Sequence, residues 1–322
     1  MIEKPKLYIT RKVPEKILEP FQQDFTISMW KYEEEPVPRE VLLKEISDAH
    51  GVLCMLSETM DQEIFNTGSS LQVVANLAVG YDNIDLHAAR EAGVVVTNTP
   101  GVLTESTADL AFSLLLSTAR RIVEANQYIK EDKWKQWSPY LLAGMDVHNK
   151  TIGIVGMGRI GEAIARRAQG FGMEILYHNR SRKVESEKQI GATYVDFDTL
   201  LNKADLVVSV VPATPQTNQM FNKEAFQKMK RSSIFINISR GSVVNENALV
   251  EALEMGEISA AGLDVFAEEP IRSDHPLLDK TNVICLPHIG SASTETRSSM
   301  LQLCLENISG VIHGTGPITE VK

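Results

Sequence analysis

The chain has 322 residues, with Lys+Arg 32 against Asp+Glu 42 for a formal net charge of −10; 43% are hydrophobic, 23% charged and 6% aromatic. That length suits two domains of ordinary size, each burying its own core. The acidic balance excludes a phosphate-neutralising nucleic-acid binder and argues against an anionic membrane surface, so neither is expected as a partner. Cys54, Cys285 and Cys304 form no C-x-x-C spacing, so neither a disulfide framework nor a metal site is expected. The N-terminus lacks an apolar signal core, and no apolar run approaches the roughly 20 residues of a membrane span. A cytoplasmic protein is the expectation.

In chain order, residues 7–10, 51–56, 71–79 and 94–97 are predicted strands. Segments 14–23, 38–49 and 83–91 between them carry apolar residues at helical spacing. A long helix is predicted over 106–125, followed by an irregular stretch with Trp134 and Trp137. A connection of this length is unusual unless it is functional or makes an interface. A second series starts at Thr151, with predicted strands at 151–155, 173–178, 206–211, 233–238, 260–265 and 283–286 and helices at 159–171, 223–230 and 246–254. Continuous Val/Leu/Ile strands separated by helices indicate parallel sheets covered on both faces. A last helix, 293–310, is expected to return to the first domain. The fold class is therefore α/β: two doubly wound parallel-sheet domains, with a Rossmann dinucleotide-binding domain (101–288) inserted into a flavodoxin-like substrate domain (1–100 plus 289–322).

Gly156, Gly158 and Gly161 form a complete G-x-G-x-x-G between a strand and a helix. The first glycine permits the tight turn, the second lets backbone approach a pyrophosphate, and the third allows close helix packing. The helix start at Arg159 and Ile160 offers N–H donors and a positive dipole end. An NAD site usually has Asp or Glu about 20 residues further on, at the end of the second strand. Here Asn179, Arg180, Ser181, Arg182 and Lys183 stand there instead, without a carboxylate. Two guanidiniums and a hydroxyl suit a 2′-phosphate, so NADP(H) is favoured and NAD(H) remains possible.

Three groups follow strands of the second series, where ligands collect in open parallel sheets. Arg240 precedes a glycine, Glu269 a proline, and His288 lies in Pro287-His288-Ile289-Gly290-Ser291. Alone, each is as easily a surface charge or a structural histidine, as the other six histidines are expected to be. Together they supply a cation for a substrate anion, an acid–base group and a carboxylate to poise it.

On residues 77–85, 156–161, 237–241 with 264–270, and 287–291, the chain resembles the D-2-hydroxyacid dehydrogenase family over essentially its full length. Residues 53–57 and the two tryptophans are similar to its glyoxylate/hydroxypyruvate reductase branch. The resemblance implies Arg240, Glu269 and His288 as catalytic residues. It implies Val79, Gly80, Ser291 and Trp137 beside the substrate, a small 2-keto or 2-hydroxy acid. Thr107, Val211, Pro212, Thr217, Ile238, Ser239, Asp264 and Gly290 join the glycine turn and residues 179–181 as cofactor contacts, with Asp264 accepting from the nicotinamide carboxamide. It also implies a homodimer, with 120–148 as the dimerisation arm. Another D-2-hydroxyacid dehydrogenase, of D-lactate or phosphoglycerate type, and a non-catalytic dinucleotide-sensing corepressor remain the alternatives.

Overall fold

The structure, a computed structural model, describes residues 4–322. The chain divides into two compact units, one formed by the chain up to Leu103 together with Ser293–Lys322, the other by Thr104–Ala292.

In the first unit, strands β1 (Lys6–Ile9), β2 (Thr26–Met29), β3 (Gly51–Cys54), β4 (Val73–Asn76) and β5 (Val95–Thr97) alternate with helices α1 (Glu15–Leu18), α2 (Arg39–Ile46), α3 (Gln62–Thr67) and α4 (Leu86–Glu91). The strands are parallel in the order β2-β1-β3-β4-β5, the doubly wound order of flavodoxin-like sheets. The helix starts are written in the sequence: Asp61 accepts from the Ile64 N–H, and Asp85 from the N–H groups of His87 and Ala88. Alternate strand residues Tyr8, Val52, Cys54, Val74 and Val96 enter one core with Leu42, Ile46, Ile64 and Ala88 of the helices.

The second unit begins with α5 (Thr104–Ala119) and α6 (Ile122–Lys130). It continues through β6 (Thr151–Val155), α7 (Arg159–Gly170), β7 (Glu174–His178), α8 (Val184–Ile190), β8 (Thr193–Tyr194), α9 (Phe197–Lys203) and β9 (Leu206–Ser209). Then come α10 (Lys223–Lys228), β10 (Ile234–Asn237), α11 (Glu246–Glu254), β11 (Ala260–Leu263) and β12 (Val283–Cys285). The seven-stranded parallel sheet runs β12-β11-β10-β9-β6-β7-β8, which is the Rossmann order with one further strand at its far edge. The period of two divides its side chains. Ile152, Ile154, Val208 and Ile236 pack with α5 and α7, while Val155, Val207, Phe235 and Leu263 pack with α9, α10 and α11. Finally α12 (Thr294–Ile312) returns to the first unit and covers the other face of its sheet. There a Cβ on Gly51 would come within 2.9 Å of Ile308 Cγ2.

The structure corrects several sequence expectations. The helix expected over 106–125 is two helices, because Arg121 takes a left-handed conformation (φ 54°) and the Met145 N–H occupies the Ala119 carbonyl at 2.8 Å. The helix expected over 14–23 shrinks to α1 and a 3₁₀ turn holding Pro20, whose ring nitrogen cannot donate. Strand β2 escaped the reading because no residue in it is fully buried, and β8 because it has two residues. Among the described residues, no helix is long and apolar enough to cross a membrane.

Candidate active site

The turn after β10 is built by Asn237. Its Oδ1 accepts from the N–H (3.0 Å) and hydroxyl (2.7 Å) of Ser239, and its Nδ2 donates to the Arg240 carbonyl at 3.1 Å. Arg240 leaves this turn extended, its Nη1 donating to the Ser239 carbonyl at 2.9 Å. Next to it, Gly241 lies so close to the Phe266–Ala267 peptide that any Cβ would strike it. Only glycine brings the Arg240 turn against the loop after β11 in this way.

That loop carries Glu269, whose Oε1 accepts from the Phe266 N–H at 2.9 Å and whose Oε2 lies 2.7 Å from His288 Nδ1. The adjoining Ala267 N–H donates to Glu246 Oε1 at 2.8 Å, a contact with no signal in the sequence. His288 itself is left-handed (φ 54°), a conformation that costs a non-glycine residue about 1 kcal/mol or more and concentrates at functional sites. The next residue is pinned: the Ile289 N–H donates to the buried Asp264 Oδ1 at 2.8 Å.

Burial pushes the Glu269 carboxyl up. The hydrogen bond and charge of His288, the Phe266 N–H and the charge of Arg240 outweigh it and hold Glu269 below the ordinary glutamate range. An ionised carboxylate only accepts, so the proton of the shared bond belongs on His288 Nδ1. Asp264 responds in the opposite sense. Burial raises its carboxyl above the usual range despite the Ile289 N–H and the His288 charge. One Asp264 oxygen is thus given to the backbone beside His288.

The glycine turn has the shape a dinucleotide pyrophosphate requires. Gly156 has φ 107°, and a Cβ there would sit 2.7 Å from the Val210 carbonyl oxygen. A Cβ on Gly161 would strike the Gly156 carbonyl, whereas the space at Gly158 is open, and α7 starts with Arg159 and Ile160 directly behind it. Thr107 on α5 lies beside Gly290, whose Cβ would come 3.4 Å from Thr107 Cγ2. After β9, Val211 and Pro212 lead into a turn closed by Thr217, whose hydroxyl donates to the Pro212 carbonyl at 2.6 Å. Ile238 and Ser239 are buried, and the Ser239 hydroxyl is committed to Asn237 and lies 3.0 Å from that of Ser209.

At the end of β7, Asn179 Oδ1 accepts from the Met157 N–H of the glycine turn at 3.4 Å, and its Nδ2 donates to the Ser181 carbonyl at 2.8 Å. Arg180 and Ser181 are exposed. Arg182 is not available as the sequence suggested: its fork closes on both oxygens of Glu187 at 2.7 Å. Neither Glu187 nor Tyr177, which donates to it at 2.7 Å, was singled out from the sequence.

In the first unit, the Val79–Gly80 turn is fixed by two amides, Asn98 Nδ2 on the Val79 carbonyl and Asn76 Nδ2 on the Gly80 carbonyl, both at 2.8 Å. Ser291 is half-buried beside Gly290, while Trp137 is 77% exposed within its own chain. Among the described residues no cluster of metal-ligating side chains occurs.

A Rossmann sheet with a complete glycine turn, and a histidine–carboxylate pair beside an arginine at its strand ends, define a dinucleotide-dependent dehydrogenase. Residues 112–290 match the NAD binding domain of the D-isomer specific 2-hydroxyacid dehydrogenases. The chain is 48% identical to a glyoxylate reductase of Thermococcus kodakarensis over 99% of this chain and 96% of that one. Its structure superposes on a crystal structure of a Thermus thermophilus protein with a TM-score of 0.93 and 40% identity, covering 98% of this chain and 100% of the other. It also superposes on the NADPH-dependent glyoxylate/hydroxypyruvate reductase of Sinorhizobium meliloti in complex with NADP and malonate, with a TM-score of 0.85 and 33% identity over 99% and 97% of the two chains. The chain belongs to the D-isomer specific 2-hydroxyacid dehydrogenase family, and its cofactor is a nicotinamide dinucleotide.

Proposed function

We propose that the protein is a glyoxylate/hydroxypyruvate reductase that converts a small 2-keto acid and NADPH to the 2-hydroxy acid. The 2.7 Å pairing of His288 Nδ1 with Glu269, on a loop that abuts the Arg240 turn, carries this reading. When bound, the dihydronicotinamide supplies a hydride to the carbonyl carbon of the substrate. Arg240 holds the carboxylate and polarises the keto oxygen, a task suited to a permanently charged fork. His288, with Nδ1 committed to Glu269, donates from Nε2 to the oxygen as it becomes a hydroxyl. Glu269 orients the ring through Nδ1. Val79 and Gly80 are the backbone receivers of the carboxylate, and Ser291 borders the larger substituent of hydroxypyruvate. The names of the relatives support this substrate class.

The 2′-phosphate of NADP is assigned to Arg180 and Ser181, since no carboxylate stands among residues 179–183. Assembly as a homodimer is proposed through the arm. A groove of about 870 Å³ lies between α6, residues 143–145 and residues 278–284, and Ile122, Val123, Ile129, Trp134, Trp137 and Tyr140 are exposed on α6 and the segment after it. Cytoplasmic residence fits the three free thiols. The test is the loss of NADPH and NADH absorbance with a panel of 2-keto acids. Glyoxylate and hydroxypyruvate should be turned over, faster with NADPH, and Arg180→Asp should reverse the cofactor order. Absence of turnover with every 2-keto acid would reject the reading.

A further inference from the structure

An acidic side chain at the end of the second Rossmann strand favours NAD by holding the ribose hydroxyls and repelling a 2′-phosphate. None follows β7 in sequence, yet the fold returns one from α8. Glu187 is half-buried beside Tyr177, in β7; the tyrosine hydroxyl donates to Glu187 Oε1 and accepts the Lys183 N–H, each at 2.7 Å. Arg182 closes the set with Nε on one carboxylate oxygen and Nη2 on the other. The hydrogen bonds from Arg182 and then Tyr177 hold the Glu187 carboxyl down to about 2, so its charge is permanent near neutrality. Two residues before Arg182, Arg180 makes no hydrogen bond or ion pair among the described residues. The loop therefore contains two guanidiniums in different states, one open and one occupied.

We propose that Glu187 sets the cofactor ratio by competing with the 2′-phosphate for Arg182. This rests on the assignment of that phosphate to the Asn179–Lys183 loop. With Glu187 in place, Arg180 and Ser181 carry the phosphate, and discrimination against NADH stays below what two arginines would provide. Arg182 is 63% exposed, and an exposed ion pair is a weak hold, so removing the competing charge releases the fork rather than the fold. The Gln side chain still accepts from the Tyr177 hydroxyl, which keeps the Lys183 N–H and the loop in place.

The experiment measures kcat/KM for NADPH and NADH with glyoxylate, alongside titration of the protein with 2′,5′-ADP and 5′-AMP, in wild type and three variants. Glu187→Gln should raise the NADPH:NADH ratio about 1.5- to fivefold, the range of a released surface pair. The gain should appear in the KM for NADPH and in 2′,5′-ADP affinity, with NADH and 5′-AMP unmoved. The double variant Glu187→Gln/Arg182→Ala should lose that gain. A ratio that stays flat or falls in Glu187→Gln, or a gain that survives loss of Arg182, overturns the proposal. Arg180→Ala separates the two levels. If it collapses 2′,5′-ADP binding while Glu187→Gln changes nothing, only the role of Glu187 fails. If neither changes anything, the phosphate assignment fails with it.

Discussion

Glu269–His288 and Glu187–Arg182 each pair a carboxylate with a basic side chain at 2.7 Å, both following strands of one Rossmann sheet, and they are proposed to serve opposite ends of a dinucleotide site. In the first, the histidine is half-buried and left-handed, and the Phe266 N–H and the Arg240 charge act on the carboxylate besides the histidine. In the second, the cation is mostly exposed to solvent although its fork is closed on the carboxylate. Distance therefore says little about what a pair does. Surroundings decide it: a constrained pair fixes a proton and a ring orientation, while an open pair is a competition another anion can win.

The comparison is tested most strongly at His288. Its replacement by Ala should lower kcat by about 10²–10⁴-fold, the usual weight of a general acid, with cofactor affinity kept within about twofold. Steady-state rates and a fluorescence titration of NADPH would show it, and a loss below tenfold would remove His288 from proton transfer. Glu269→Gln keeps an acceptor oxygen for Nδ1 but removes the charge. A charge-assisted hydrogen bond contributes about 1.5–3 kcal/mol, so the expected loss in kcat is roughly ten- to a hundredfold. Its folded-state carboxyl is depressed relative to the unfolded chain. The stabilisation it gives is thus present above the ordinary glutamate value and is lost as pH falls through the lowered one. In Glu269→Gln that acid-sensitive increment should be absent from melting curves taken across the same window.

Asp264 sharpens the contrast from beneath the same loop. Asp264→Ala leaves the Ile289 N–H without its acceptor and should cost about 1–3 kcal/mol in a denaturant melt. Asp264→Asn keeps the acceptor. Burial raises the Asp264 carboxyl, so its favourable contribution is complete below the unfolded value and fades as pH rises through the folded one. The Asn variant should therefore gain on the wild type as pH rises from about 4 to 7. A constant difference across that range would mean the aspartate is not desolvated in solution.

The glycine turn, the parallel strands and the grouping of Arg240, Glu269 and His288 past strand ends were legible because each depends on local chemistry: strand runs, glycine at a turn of φ 107°, and charges placed a few residues past a strand. What escaped depends on contacts made across the fold. Glu246 meets Ala267 from 21 residues away. Glu187 meets Tyr177 from across α8, and nothing in either residue's neighbourhood announces it. The break between α5 and α6 escaped for a related reason: the apolar spacing continues through Arg120 and Arg121, and the left-handed residue that ends the helix is an arginine rather than a glycine. Arg182 is the clearest case. Its charge was visible in the sequence, its availability was not, because availability is a property of the neighbour that reaches it first.

The smallest expected effect lies at that open pair and separates it from the constrained one. Near neutral pH, Glu187→Gln should move the melting temperature less than Glu269→Gln does, because solvent screening at an exposed cation cuts the contribution of the pair well below what its depressed carboxyl alone implies. In acid the order of persistence reverses. The Glu187 carboxyl is depressed further, to about 2, so its contribution is complete above the ordinary glutamate value and is lost progressively, the last of it only as pH falls towards 2. Glu269 is depressed less, and its contribution ends at higher pH. Melting curves of both variants against wild type, taken stepwise from about pH 7 to 2.5, should show the Glu269 difference closing first while a small Glu187 difference remains. Added salt should erase the Glu187 difference before the Glu269 one, because screening acts on the exposed charge. If the Glu187 curves coincide with wild type at every pH and low salt, the fork is not closed in solution, and Arg182 is already open to the phosphate.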